Sequence, residues 1–200
     1  MDIATENLIN ERIAAKTRAL RAKLGLSLDA LAARSGVSRS MLSLIERAEC
    51  SPTAVVLDRL AAGLGVTLSS LLTDAPVEVP TAPQPLARLA DQPLWQDPGS
   101  GYVRRSVSPA GYPSPIQIVE VEFPAGTRVA YETGPRDRLV HQQIWMREGT
   151  IEFTVGKQSY RLNAGDCLAL ELDQPTVFHN PTRKAARYAV VLVAEPAPRR

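Results

Sequence analysis

The stretch from Ser27 to Arg47, SLDALAARSGVSRSMLSLIER, constrains the fold of this chain more than any other. Ser27 and Ser38 each precede a short apolar stripe at helical spacing, and a serine hydroxyl can cap the free amides of a first helical turn. Gly36 lies between the two stripes, where a tight turn requires a positive φ angle that glycine adopts at little cost. The stretch therefore predicts two helices joined by a turn, the arrangement of a helix-turn-helix motif.

The outward face of the second predicted helix carries side chains suited to contact a nucleic acid. Serine hydroxyls near its N-terminus can reach phosphates or base edges, and Arg39 can bind guanine O6 and N7 through two hydrogen bonds. Leu44 lies on the same side and could contact a thymine methyl group. The expected DNA-binding residues are Ser27, Ser38, Arg39, Ser40, Ser43, Leu44 and Arg47. The same composition also suits an ordinary solvated helix face, so the face alone leaves both interpretations open.

Three further segments complete a small helical domain around this motif. Residues 8–23 carry apolar side chains at helical spacing with arginines and lysines between them. Another helix is expected to begin at Ser51-Pro52-Thr53, because proline is tolerated in a first helical turn, and to end at Gly65. Residues 68–72 predict a short fifth helix. Residues 1–73 are thus predicted to form a complete five-helix domain.

These residues resemble the lambda-repressor-like helix-turn-helix domain, also called Cro/C1 or XRE. The resemblance is carried by Leu31-Ala32, Gly36-Val37-Ser38, Ser43, Ile45-Glu46-Arg47, Ser51-Pro52-Thr53, Leu57, Leu60-Ala61 and Leu64-Gly65-Val66. It implies that Glu46 pairs with a basic residue of the first helix, best matched by Arg21, and fixes the recognition helix. Leu28 departs from the family's frequent glutamine, which removes a phosphate contact. Ala48 replaces a usual glycine, which costs roughly 1 kcal/mol if left-handed geometry is kept.

The character of the sequence changes after residue 73. Residues 74–93 contain five prolines, which remove amide donors and disfavour helix, so they predict an extended linker. From residue 94, short alternating segments separated by turn residues are typical of an antiparallel sandwich or barrel. The predicted strands are 103–107, 116–123, 127–131, 139–147, 150–155, 159–162, 167–172 and 186–194. The predicted fold is α + β in two domains, residues 1–73 and 94–200.

The second domain resembles the cupin family, whose barrel is a jelly roll. The matching landmarks are Glu148-Gly149, Gly156, Leu162, Ala164-Gly165-Asp166, Gln174-Pro175 and Asn180, within residues 116–193. A helix-turn-helix followed by a proline-rich linker and a cupin is an architecture of bacterial transcriptional regulators. The whole chain resembles that group, including regulators of sulfur-source or polyamine use.

Metal-binding cupins hold their ion with histidines and a glutamate on neighbouring strands. The resemblance carries those positions onto Arg136, Arg138, Gln142 and Thr176. None of these is a histidine or a carboxylate, and arginine cannot lose its proton to bind a cation. His141 and His179 lie at odd offsets from these positions, so regular alternation turns them outward unless a bulge intervenes. We expect no metal, no cofactor and no catalytic residue, with a two-histidine, one-carboxylate iron site as the alternative.

The replaced positions favour an anionic effector instead. Arg136 and Arg138 could pair bidentately with a carboxylate or a sulfate at the barrel mouth. The polar residues expected to orient such an effector are Gln142, Thr176 and Asn180. The alternative is a surface loop with solvated charges, in which Asp137 neutralises half of the positive charge.

Composition and charge limit the remaining classes of protein. A content of 44% hydrophobic and 22% charged residues is ordinary for a soluble globular protein, and no apolar run is long enough to predict a membrane span. A cytoplasmic location is therefore expected. Residues 1–73 hold nine Lys and Arg against seven Asp and Glu, so DNA affinity would depend on doubled contacts in a dimer. Cys50 and Cys167 lie in different predicted domains and are expected to be packing residues without a disulfide.

The sequence predicts a DNA-binding transcriptional regulator rather than an enzyme. Two copies would place their recognition helices in successive major grooves of a pseudo-palindromic double-stranded operator. The cupin would supply the homodimer interface and sense a small, anionic effector. Two alternatives stay open: a metal-dependent cupin enzyme with an accessory helix-turn-helix, and an antitoxin-like DNA binder with a partner protein.

Overall fold

The computed structural model of the chain describes residues 3–72, 84–132 and 139–194. The helices are α1 (Ile3–Lys23), α2 (Leu28–Ser35), α3 (Arg39–Glu46), α4 (Ala54–Leu64) and α5 (Leu68–Leu72). The strands are β1 (Leu94–Gln96), β2 (Val103–Ser106), β3 (Ile116–Phe123), β4 (Arg128–Tyr131), β5 (Val140–Glu148), β6 (Thr150–Val155), β7 (Gln158–Asn163), β8 (Cys167–Glu171), β9 (Thr176–His179) and β10 (Ala186–Ala194). The predicted α + β order, helices first and strands second, is confirmed.

The helix-turn-helix forms through the capping interactions that its sequence predicts. The Ser27 hydroxyl accepts a hydrogen bond from the Ala30 amide at 3.1 Å, and the Ser38 hydroxyl accepts one from the Met41 amide at 3.2 Å. Gly36 ends α2 with a φ of 68°, in the left-handed region. Each cap satisfies an amide that the first helical turn leaves without a partner, so the two helix starts are set by local chemistry.

The five helices enclose a core of aliphatic side chains. The residues with almost no exposed surface are Ile13, Leu31, Leu42, Ile45, Leu57, Leu60 and Leu71. They come from α1 to α5, so each helix contributes its apolar stripe to one core. Thr53 is the N-cap of α4, so the helix begins at Ala54, directly after the predicted start at Ser51-Pro52-Thr53.

The strands form two antiparallel sheets that face each other. One sheet has the order β1-β2-β3-β10-β5-β8 and the other has the order β4-β9-β6-β7. Two sheets of alternating strand order are the arrangement of a jelly roll, with β1 and β2 added at one edge. The predicted barrel is confirmed. Strands β1 and β9, of three and four residues, were not among the predicted strands.

The helical domain lies against the barrel through α4 and α5. The Asp97 carboxylate, which follows β1, accepts a hydrogen bond from the buried Ala54 amide at the start of α4 at 2.8 Å. The Thr67 hydroxyl, just before α5, donates to the Gln117 side chain of β3 at 2.8 Å. An ion pair between Arg59 of α4 and Glu132 adds a more exposed contact. The two domains are therefore joined by buried polar contacts as well as by the chain between them.

Two further predictions concern single residues and membrane spans. Cys50 is half-buried beside the Met41 sulfur at 3.9 Å, as a packing residue would be. Cys167 is exposed, so its prediction as a packing residue is wrong: it starts β8 opposite exposed Trp145, on the outer face of the sheet. Within the described ranges, no helix is both long enough and apolar enough to cross a membrane.

Candidate nucleic-acid interface and barrel cavity

The recognition helix α3 is fastened to α1 by a buried carboxylate. Arg21 donates from Nε to Glu46 Oε1 at 2.6 Å and from Nη2 to Oε2 at 2.8 Å, which is a bidentate pair. Arg18 adds a hydrogen bond from Nη1 to the Glu46 carbonyl at 2.7 Å. The Glu46 side chain is only 8% exposed, so water does little to weaken the pair. The predicted pairing of Arg21 with Glu46 is confirmed, and neither residue is available to read bases.

The N-terminal end of α3 is open to solvent. Ser38, Arg39 and Ser40 are exposed, and Arg39 Nε lies 3.1 Å from Asp29 Oδ1 of α2. Both partners of this pair are largely exposed, at 65% and 75% of their side-chain surface. An ion pair in that setting contributes little, so Arg39 can exchange Asp29 for a base edge or a phosphate at small cost.

The serines of this surface have hydrogen bonds within the motif. Ser27 and Ser38 use their hydroxyls as helix caps, and the Ser38 and Ser40 hydroxyls lie 3.1 Å apart. A hydroxyl that accepts from an amide keeps its own proton for a phosphate oxygen. The starts of α2 and α3 also present backbone amides and the positive ends of their helix dipoles. This surface is therefore suited to phosphate contacts beside the bases.

The C-terminal end of α3 is more occupied. The Arg47 guanidinium donates to the Ser43 hydroxyl and, at 2.8 and 2.7 Å, to both oxygens of Glu49. Leu44, which follows Ser43 in α3, is half-buried. Each guanidinium nitrogen of Arg47 thus already donates within the motif, which leaves two N–H groups for a phosphate. The turn that follows holds Ala48 at a φ of 57°, so the left-handed geometry is kept without glycine.

A cavity of about 60 Å³ lies inside the barrel, beneath α4 and α5. Its walls come from the inner faces of both sheets, and its cover comes from the helical domain. The lining residues of the helical domain are Asp58, Thr67, Leu68 and Ser69. By the criterion that about 10–15 Å³ holds one water, the cavity has room for about four to six water-sized groups. A ligand there would contact both domains at once.

The residues predicted to bind an effector divide into three groups. Gln142 and Thr176 are buried and line the cavity. Asn180 is fully buried but does not line it, because its amide nitrogen donates to the carbonyls of Phe123, Pro124 and Lys184. Its role as an effector ligand is therefore corrected to that of a brace between β3 and the loop before β10. Arg136 and Arg138 lie outside the described residues.

The two histidines face away from the cavity, as their offsets predict. His141 Nδ1 lies 3.9 Å from Glu171 on β8, and His179 Nδ1 lies 3.1 Å from Glu152 on β6. Both histidines are more than a third exposed, and neither lines the cavity. Among the residues that the structure describes, no group of three potential metal ligands comes together.

Sequence reasoning missed the most polar part of the cavity wall. Arg104 of β2 lines it, together with Tyr102, Tyr131 and Tyr188. Arg104 pairs across the sheet with Trp95 and Val121, which are both buried, so its side chain shares their inward face. The signal was present in Val103-Arg104-Arg105-Ser106, because one of two consecutive arginines in an alternating strand has to face inward.

The tyrosines around Arg104 are neutral hydrogen-bonding groups. Burial raises the pKa of Tyr102, and burial raises the pKa values of Tyr131 and Tyr188 well above the ordinary value. The hydroxyl oxygens of Tyr102 and Tyr131 lie 2.7 Å apart in a hydrogen bond. At neutral pH these phenols carry no charge, so they do not serve as counterions for the guanidinium.

The comparisons with known proteins cover the helix-turn-helix and the whole chain. Residues 18–71 match the HTH_3 helix-turn-helix family. The chain is 26% identical over 163 residues to the HTH-type transcriptional regulator SutR of Escherichia coli (strain K12), covering 80% of this chain and 83% of that protein. It is 28% identical over 170 residues to the HTH-type transcriptional regulator PuuR of the same organism, covering 84% and 87%. A crystal structure of an HTH_3 family transcriptional regulator from Vibrio cholerae superposes with a TM-score of 0.74 at 24% identity, covering 96% of this chain and 99% of that one.

Proposed function

From the premise that this chain is a DNA-binding transcriptional regulator with an XRE-type HTH_3 domain, we propose that it binds a pseudo-palindromic operator as a homodimer and senses a small effector in its barrel. Each protomer would insert α3 into a major groove. Base contacts would come from Arg39, Ser40 and Leu44, and phosphate contacts from Ser27, Ser38, Ser43 and Arg47. As a DNA-bound regulator it would act in the cytoplasm.

The observation that carries this proposal is the contrast between the two sides of α3. Its inner side is held by the buried Glu46 and Arg21 pair, while its N-terminal side leaves Arg39 and Ser40 exposed. A base-reading helix needs both properties, because the side chains that contact base edges have to be free while the helix itself is fixed.

The homodimer interface is proposed to lie on the outer face of the larger sheet. Ile116 and Ile118 of β3 and Trp145 of β5 are large apolar side chains that are 37–45% exposed there. They flank half-buried Val191 and Val193 of β10, which pair with Ile118 and Ile116. An apolar surface that spans three strands of a monomer is typical of an interaction site, and a second copy is the partner that a symmetric operator requires.

The barrel is proposed to be a sensor and not a catalytic centre. Two of the positions that hold a metal ion in metal-binding cupins are Gln142 and Thr176, and both side chains line the cavity. Neither neutral side chain has the charge or the basicity of the histidine and glutamate that they replace. Metal analysis of the purified protein tests this directly, since stoichiometric iron, manganese or zinc would favour the enzyme.

DNA binding is tested by replacing the exposed arginine of the recognition helix. Genomic fragments that bind the wild-type protein provide the operator, and fluorescence anisotropy then gives its affinity. Arg39→Ala should weaken operator binding by about 1–3 kcal/mol if the contact to guanine is bidentate. Arg161→Ala, which removes an arginine of similar exposure from β7, is the matched control and should bind as the wild type does. Equal affinity of Arg39→Ala and the control would remove Arg39 from base reading.

The dimer is tested by placing a charge on the apolar outer face. Ile118→Glu should shift the protein from dimer to monomer in sedimentation equilibrium, because a carboxylate would be buried against a second copy. Tyr160→Glu, an exposed position on β7 of the smaller sheet, should leave the dimer unchanged. A monomeric wild-type protein at micromolar concentration would contradict the proposed homodimer.

A further inference from the structure

The cavity inside the barrel contains a cationic group whose hydrogen-bonding capacity is incompletely used. Arg104 Nη2 donates to the Ser69 hydroxyl of α5 at 2.9 Å. Its Nε is buried and has no hydrogen-bond partner within the described ranges. An unsatisfied buried donor on a charged group is costly, and structures usually remove such a cost through a partner or a ligand.

Among the described residues, Arg104 has hydroxyl groups rather than carboxylates as hydrogen-bonding neighbours. Within the described part of the chain, no carboxylate forms an ion pair with it. Among the described residues that line the cavity, Asp58 of α4 is the acidic one. The three neighbouring tyrosines remain protonated phenols at neutral pH. A buried guanidinium nitrogen without a partner among the described residues favours the entry of an anion that can accept from it.

The other lining residues suit the oxygen atoms and the short hydrocarbon tail of a small oxyanion. The hydroxyls of Tyr102 and Tyr131, bonded to each other at 2.7 Å, belong to residues that also line the cavity, and the hydroxyl that accepts in this bond keeps its own proton for an oxygen atom of a ligand. Val129, Phe178 and Leu192 supply apolar lining for a short hydrocarbon tail. A volume of about 60 Å³ limits the occupant to about five non-hydrogen atoms.

We propose that the effector of this protein is a small oxyanion, of the size of acetate or propionate, bound to Arg104 inside the barrel cavity. This inference rests on the proposed sensor function and specifies the chemistry of its ligand. One oxygen atom of the ligand would accept from the unpaired Nε and the other from a terminal guanidinium nitrogen, as in bidentate arginine and carboxylate pairs. A ligand held in this way lies directly beneath Ser69, so it contacts the one residue of α5 that Arg104 already binds.

The inference is tested with the full-length protein and simple salts. Isothermal titration calorimetry and thermal unfolding are measured with sodium acetate, sodium propionate and sodium sulfate, against acetamide and against sodium chloride at equal ionic strength. Acetate and acetamide have the same shape and differ in charge, so a response to acetate alone reports recognition of the anion. The acetate, propionate and sulfate arms distinguish a carboxylate from an inorganic oxyanion.

Variants at neighbouring positions connect the response to Arg104. Arg104→Met removes the charge but keeps an unbranched side chain, and it should weaken carboxylate binding at least about tenfold. Arg105→Met is the matched control, because Arg105 is the adjacent residue on the other face of β2, where it pairs with Glu120. If Arg104→Met fails to fold, Arg104→Lys keeps the charge without the two-pronged donor geometry and should also bind more weakly than wild type.

The outcomes separate this inference from the proposed function. Equal responses to acetate and acetamide, or wild-type carboxylate binding by Arg104→Met, would each overturn the inference. The binding measurement needs no DNA. Failure of the wild-type protein to bind any operator would therefore overturn the proposed function alone, and absence of an Arg104-dependent oxyanion response would overturn this inference alone.

Discussion

The recognition helix and the barrel cavity each depend on an arginine, and the two are held in opposite ways. Arg39 is 65% exposed and has a carboxylate partner, Asp29, 3.1 Å away. Arg104 faces inward and, among the described residues, donates to a neutral partner, the Ser69 hydroxyl. Water weakens the first pair, so it can be exchanged for DNA at little cost. The interior of the barrel makes the charge of Arg104 costly without a partner, so an anionic ligand would stabilise it. Binding sites can thus be prepared by weak pairing in water or by absent pairing in the interior.

A third arginine shows what a structural role requires. Arg21 is largely buried and is fully engaged by Glu46, with two hydrogen bonds of 2.6 and 2.8 Å and a third to the Leu26 carbonyl at 3.0 Å. Each of the three guanidinium nitrogens donates to a partner within the fold. Burial with complete pairing fixes the fold, whereas exposure or incomplete pairing leaves a group available for function.

The largest expected effect comes from breaking the fully paired arginine. Glu46→Ala should lower the free energy of unfolding by about 3 kcal/mol, because it leaves Arg21 largely buried without its counterion. Glu49→Ala removes a carboxylate that pairs with Arg47 at half exposure, and it should cost less than about 1 kcal/mol. Chemical denaturation of both variants measures the difference. Similar losses in the two would contradict the distinction between buried and exposed pairs.

The next largest effect concerns the contact between the helical domain and the barrel. Asp97→Ala should destabilise the protein by about 2 kcal/mol, because the buried Ala54 amide loses its acceptor. Hydrogen exchange at the start of α4 should rise as the helical domain loosens from the barrel. Glu132→Ala removes the exposed partner of Arg59 at the same junction and should change exchange there only slightly. Unchanged protection of α4 in Asp97→Ala would show that apolar packing alone holds the junction.

A ligand in the cavity should change DNA binding through α5. An oxyanion on Arg104 would compete with the Ser69 contact and loosen α5 from the barrel, so propionate at saturation should weaken operator affinity at least about fivefold. Arg104→Met should show no such propionate effect, while Arg105→Met should behave as the wild type does. Operator titrations at constant ionic strength measure this, and equal affinities with and without propionate would refute coupling between cavity and recognition helix.

The smallest expected effect on stability comes from the backbone at the turns before and after α3. Ala48 has a φ of 57°, and Ala48→Gly should stabilise the protein by up to about 1 kcal/mol, since glycine adopts this geometry without a Cβ clash. Gly36 has a φ of 68° with open space where a Cβ would lie, so Gly36→Ala should destabilise by a similar amount. Thermal unfolding of both variants checks the sign. A loss of stability in Ala48→Gly would mean that backbone entropy outweighs the relief of strain.

The helical half was more predictable than the barrel, and the reason is the range of the determining contacts. The caps at Ser27 and Ser38 bond to amides three residues away, so their role can be read from neighbouring letters. Strand β3 was predicted at its observed bounds because eight alternating residues show a clear period. Asn180 failed as an effector residue because its partners at Phe123 and Pro124 are more than fifty residues away.

The sequence by itself determined the order of domains, the helix-turn-helix with its capping serines, and the antiparallel character of the second half. Those properties follow from local propensity and periodicity, which act over a few residues. Only the tertiary structure decided that Arg104, and not Arg105, faces the cavity, and that α4 and α5 cover the barrel. These facts depend on the register of β2 between β1 and β3 and on contacts between segments far apart in the chain. A shift of one residue would exchange the two arginines, so strand pairing determines which of them lies in the cavity.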